Sequence, residues 1–202
     1  MLEKLEVHIR HSGSDLLLDR WMKFSGGNDV TIHSGYGDWH EAGVYLADII
    51  DANRGKVIVN CDIDCFVVDW GLVHKIIKHM EICGYGYVGV RDDKFTIPHR
   101  DNSKDVMNPF FNIFDCRLAS VPRDWERVPF VCEPYDEIFM GLRRSNKYMH
   151  LPNRQGEDGI STELYYNGGL YAVHSWYARE YGYDEFHTNR INKIIERCEQ
   201  LL

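Results

Sequence analysis

Between residues 4 and 93 the spacing of apolar residues switches back and forth between two periods, and few folds accommodate that alternation. In "KLEVHIRHS" (4–12), Leu5, Val7 and Ile9 alternate with Glu6, His8 and Arg10, as in a strand with one buried face. "SDLLLDRWMKF" (14–24) follows with a cap-forming Ser14 and helical spacing of Leu17, Trp21 and Phe24. A short strand pattern in "NDVTIHSG" (28–35) precedes a helical one in "DWHEAGVYLADIIDANRGK" (38–56). The apolar run "VIVNCDID", the helical "WGLVHKIIKHMEICGYG" and the strand-like "YVGVRDD" (87–93) complete the series. Strands separated by helices pair side by side through crossovers, which predicts an α/β fold with a mostly parallel sheet covered on both faces.

The remainder is less regular. "DDKFTIPHRDNSKDVMNPFFN" reads as a polar loop, "FFNIFDCRLASV" as a return to the sheet, and "YDEIFMGLRRSNK" as a helix. "HLPNRQGEDGISTELYYNGGLYAVHSW" reads as a mixture of loop, short helix and strand, with a turn at "GEDG" and Glu157 at the cap of a helix starting near Ile160. "TNRINKIIERCEQLL" places Ile191, Ile194, Ile195, Cys198 and Leu202 on one face of a closing helix. With 202 residues and no low-complexity stretch, the expected organisation is a single domain. The chain is also compatible with being one part of a larger polypeptide.

A net charge of -8 argues against a nucleic-acid surface, because phosphate backbones are held by clustered Lys and Arg. The start "MLEKLEVHIRHSG" lacks the basic segment and apolar core of a signal peptide, and nowhere do eighteen apolar residues run together. The expectation is therefore a soluble, cytoplasmic protein without a membrane span, its six cysteines reduced.

The chemistry concentrates at Asp62-Ile63-Asp64, the chain's single Asp-x-Asp, at the end of the apolar run 57–61. Carboxyl edges of parallel strands are where open α/β sheets bind ligands. Two hard oxygen donors there suit Mg2+ or Mn2+, an ion that keeps positions open for phosphate oxygens.

Preceded by two strand-helix units, "VIVNCDIDCFV" resembles the strand-terminal DxD motif of the GT-A glycosyltransferases, and the soluble chain is similar to bacterial or viral members such as the small chlorovirus glycosyltransferase domains. The resemblance implies a nucleoside diphosphate sugar donor, UDP-sugar above all, a carbohydrate or glycan acceptor, and a division of the single domain into a nucleotide-binding half (1–93) and an acceptor half (94–202). It makes Asp64 the metal ligand and Asp62 a contact to ribose or to the metal. "GEDG" (156–159) is similar to the family's Glu-Asp segment, which puts the base of an inverting transfer on Asp158. "YAVHSW" (171–176) supplies His174 as the further metal ligand. The glycine-rich segment usual before Glu-Asp is missing, with "NPFFNIFD" in its place.

For the nucleotide, His11 and Ser12 end the first strand, while Tyr36 and Asp38 follow the second. A base needs a flat apolar partner and an edge-on hydrogen bond, which Tyr36 and Asp38 can offer. Arg54, just before the Asp-x-Asp strand, is a candidate phosphate or sugar partner or a helix-end cation. Two rival classes stay open. In a haloacid-dehalogenase-like phosphatase, Asp62 would attack phosphorus and Asp64 act as acid and base; a non-catalytic module would bind the nucleotide sugar without turnover.

Overall fold

In the computed structural model, residues 3–12, 14–36, 41–92, 106–121 and 135–202 are described. Six strands form the central sheet: β1 (Glu6–Arg10), β2 (Asp29–His33), β3 (Val57–Asp62), β5 (Tyr85–Arg91), β6 (Met107–Asp115) and β7 (Lys147–His150), in the order β2-β1-β3-β6-β5-β7. Its pairings are parallel except along β6, which runs antiparallel to both neighbours. The mostly parallel α/β sheet expected from the alternating periods is therefore present. Because β6 lies between β3 and β5, the chain beyond residue 93 is woven into the sheet begun by the first half.

The sequence reading lacked a second sheet. β4 (Cys65–Val67), β8 (Asn153–Gln155), β9 (Thr162–Tyr166) and β10 (Gly169–His174) pair antiparallel in the order β4-β10-β9-β8. The short helix expected near Ile160 is absent: a turn there leads directly into β9.

Local chemistry sets the helix ends. Ser14 accepts from the Leu16 amide to start α1 (Asp15–Trp21), and Asp69 accepts from the Leu72 amide to start α3 (Trp70–Cys83). Each such cap is worth about 1 kcal/mol. Gly84 ends α3 with φ 68°, a conformation that a Cβ disfavours. The other helices are α2 (Ala42–Ala52), α4 (Asp136–Ser145) and α5 (Glu185–Glu199).

Two apolar layers sandwich the central sheet. On one face Tyr45, Leu46 and Ile49 of α2 meet Ile138, Phe139 and Leu142 of α4 over Ile58 and Phe114. On the other, Leu17 and Trp21 of α1, Val73 and Ile76 of α3, and Ile191 and Ile195 of α5 close over Val7, Val59 and Val88 and join the second sheet. Trp21 is fully buried, with its indole N–H donating to the Cys65 carbonyl at 2.8 Å, so α1 is tied to the segment just after Asp64. Among the described residues no helix is long and apolar enough to cross a membrane, and Cys61, Cys65, Cys83, Cys116 and Cys198 are free.

Candidate functional site

The register of the parallel strands assembles the site. Arg10 ends β1 opposite His33 on β2 and Asp62 on β3, so three polar side chains share one row at the carboxyl edge of the sheet. The Arg10 guanidinium grips Asp62 with both arms, Nε to Oδ1 at 3.1 Å and Nη2 to Oδ2 at 2.9 Å, and both side chains are buried. Burial works against the charge on Arg10, yet Asp62 outweighs it and the guanidinium pKa rises.

Past Asp62 the chain turns through Ile63 and Asp64 into β4, which pairs with β10 so that Cys65 lies opposite His174. That pairing brings His174 back across 110 residues: its Nε2 stands 3.1 Å from Asp64 Oδ1. Burial raises the Asp64 pKa, but the neighbouring imidazole outweighs it, and the carboxyl group is held below its ordinary range. Phe110 stacks flat on the His174 ring, with centroids 4.1 Å apart and planes within 6°. A bulge in β6 makes this possible. Its register against β5 shifts between Gly89 and Val90, so Phe110 and Phe111 both join the apolar layer on one face. Pro109, which has no N–H to give, occupies the bulge.

Asp62, Asp64 and His174 each offer one ligand atom, and these atoms lie within 4.8 Å of one another. Two carboxylates and an imidazole suit Mn2+ or Mg2+ better than a thiolate-seeking metal. His174 Nδ1 is buried without a hydrogen-bond partner, so the outer contact that usually orients a metal-bound imidazole falls to the Phe110 stack. The group could therefore hold a metal ion. It opens on a cleft of about 320 Å3 lined also by Arg10, Ser12, Trp176 and Arg179.

The other sequence candidates are scattered. Ser12 reaches the cleft, and His11 beside it lies 3.2 Å from Asp15 Oδ1. Tyr36 donates to Asp48 at 2.5 Å and packs on Tyr45 with centroids 5.5 Å apart, at the end of β2. Asp38 lies outside the described residues. Arg54 is placed as the helix-end cation of its two readings: it is exposed, pairs with Asp51 at 2.9 Å and precedes β3, so six residues of strand, about 20 Å, separate it from the cleft. The basic residue at the site is Arg10.

Asp158 sits in the turn expected at "GEDG". Its Oδ1 accepts from the Ile160 amide, the Ser161 amide and the Ser161 hydroxyl, and its Oδ2 accepts from Arg190 Nη1 at 2.9 Å. Burial raises its pKa, but these donors outweigh that and lower it. A carboxylate so held is a weak proton acceptor, and it is absent from the cleft lining. Glu157 is exposed.

The sequence reading missed a buried polar chain on the α2 and α4 face. Tyr45 donates to Asn60 Oδ1 at 2.7 Å, Asn60 Nδ2 donates to Asn112 Oδ1 at 3.1 Å, and Asn112 Nδ2 donates to the Asn108 carbonyl at 3.1 Å. Asn108 then reaches Asp92, which accepts from the Tyr135 hydroxyl at 2.8 Å. Tyr135 caps α4, whose first turn carries buried Asp136 and Glu137. Since β6 alone separates β5 from β3, Asp92 stands two strand spacings, about 10 Å, from the end of β3. The signal was available in the acidic pair opening "YDEIFMGLRRSNK".

No protein-family model matches the chain, and no curated protein sequence matches it. Among solved structures it is similar to A197 from STIV, with 12% identity, a TM-score of 0.47 and coverage of 84% of this chain and 93% of that one. It is also similar to residues 1–349 of S. aureus TarS, with 8% identity, a TM-score of 0.48 and coverage of 97% and 65% respectively.

Proposed function

We propose that the chain is a metal-dependent glycosyltransferase of the GT-A type that takes a nucleoside diphosphate sugar, UDP-sugar first, and transfers the sugar to a carbohydrate hydroxyl. The observation that carries this reading is the convergence of Asp62, Asp64 and His174 on one cleft at the carboxyl edge of the sheet. A divalent cation held there would neutralise the charge that develops on a departing diphosphate.

The chain's own residues have separate tasks in this scheme. Asp64 and His174 would hold the cation. Asp62, fixed by Arg10, would face the ribose or the cation's water. Ser12 and Tyr36, after β1 and β2, would meet the nucleoside with His11 behind them. Inversion needs a carboxylate on the acceptor side to take the hydroxyl proton. Asp158 is the carboxylate that the sequence offers for this task, and its bonds to Ile160, Ser161 and Arg190 weaken it as a proton acceptor.

The test is release of UDP from a panel of UDP-sugars with Mn2+, with and without carbohydrate acceptors. Turnover lost in Asp64→Asn supports the assignment. An anomer-resolved NMR assay reporting retention would remove the base role altogether.

A further inference from the structure

Immediately after His174 the chain takes a course that bulky side chains avoid. Trp176 and Tyr177 have φ of 61° and 66°, two consecutive residues in the left-handed region. Such geometry persists where surrounding contacts over-determine it. Four contacts do so here. The Ser175 amide donates to the Asp64 carbonyl at 2.9 Å, and the Trp176 indole N–H donates to Thr162 Oγ1 at 3.0 Å. Tyr177 stacks on His187 with centroids 4.3 Å apart. The Trp176 carbonyl accepts from Arg190 Nη2 at 2.9 Å.

That last contact links distant parts of the chain. Arg190 comes from α5, is 7% exposed, and uses its Nη1 arm on Asp158. Asp158 is itself pinned by the Ile160 and Ser161 amides. One planar guanidinium thus bridges a turn, a helix and the segment that follows His174, a task that suits its fixed fork better than the single ammonium of lysine. Anchoring α5 does not require it: Ile191, Ile195 and Cys198 are fully buried, Asp184 caps the helix, and Tyr181 bonds Asn192 at 2.7 Å.

We infer that the Asp158–Arg190 pair is a positioning device for the cation site, holding the Trp176–Tyr177 turn so that His174 stays against Asp64. The inference rests on the reading of Asp62, Asp64 and His174 as cation ligands, and it gives Asp158 a role other than proton acceptor.

The test compares Mn2+ affinity by calorimetry in the wild type, Arg190→Gln, Arg190→Lys, Asp158→Asn and Tyr181→Phe, with metal-free melting curves and NMR signals of the His174 ring. Arg190→Gln should weaken Mn2+ binding at least tenfold and displace the His174 signals, with Asp158→Asn in the same direction and Arg190→Lys intermediate. Tyr181→Phe, which loosens α5 elsewhere, should lower the melting temperature while leaving both readouts in place. Wild-type Mn2+ affinity and unmoved His174 signals in Arg190→Gln would overturn the inference. If the wild type itself binds no Mn2+, the cation reading falls, and the ring signals decide the positioning role: displacement in Arg190→Gln but not in Tyr181→Phe retains it, and no displacement in either removes it.

Discussion

Arg10 holds both carboxylate oxygens of Asp62, at 3.1 and 2.9 Å, inside a row of side chains that the β1–β3 register brings together across 52 residues. The pair makes Asp62 a fixed acid whose charge is already partly balanced before any ligand arrives. Removing one partner of a buried ion pair leaves the other uncompensated, at a cost of about 3–5 kcal/mol. Arg10→Met should therefore destabilise the fold by an amount of that order at neutral pH. Adding Asp62→Asn to it should recover part of the loss. Urea unfolding of the single and double variants measures both, and equal losses in the two would contradict the pairing as the cause.

A second pair of side chains gives the stability a pH dependence. His8 and His33 share a hydrogen bond, Nδ1 to Nε2 at 2.8 Å, and Asn53 approaches His8 Nε2 at 3.2 Å. Burial first, then His33 and Lys56, push His8 down to about 4, against the opposing pull of Glu6. The unfolded chain therefore binds the extra proton between pH 6.5 and 4, and stability falls as pH drops through that window. The shift corresponds to about 3 kcal/mol. Denaturant midpoints at pH 7, 5.5 and 4 should show the decline, and His8→Gln should flatten it.

The asparagine chain leaves no room beside Gly89. A Cβ there would lie 2.8 Å from Met107 Sδ and 3.2 Å from the Phe111 carbonyl, and closer still to Asn112 Nδ2. Gly89→Ala should cost about 1–3 kcal/mol by overpacking. It should also disturb the bulge that seats Phe110 on His174, and weaken Mn2+ binding with it. A melting temperature within 1 °C (roughly 0.3–0.5 kcal/mol) of the wild type would contradict this packing account.

The parts of the fold carried by long amphipathic periods were readable in the sequence: the β1 to β5 alternation and α5 sit where the patterns of Leu17, Trp21, Ile191 and Ile195 place them. The second sheet was not, because β4 and β8 run only three residues and the buried residues of β9 and β10 come in blocks without alternation. Asp62 and Asp64 were visible because they are neighbours at a strand end. Arg10 was not, because only strand register brings it to Asp62, whereas sequence proximity drew attention to Arg54, which stands before the amino end of β3. "GEDG" drew attention through its acids, but the structure uses Asp158 to tie a turn to α5. Turn chemistry and catalytic chemistry use the same residues, and sequence alone does not separate them.

The central claim is that Asp62, Asp64 and His174 hold a divalent cation that presents a nucleoside diphosphate. Calorimetric titration of UDP into the protein, once with Mn2+ and once with EDTA, tests it most directly. The account predicts binding with Mn2+ that disappears with EDTA and is absent in Asp64→Asn. Binding of equal strength in EDTA, or none in either condition, would contradict it.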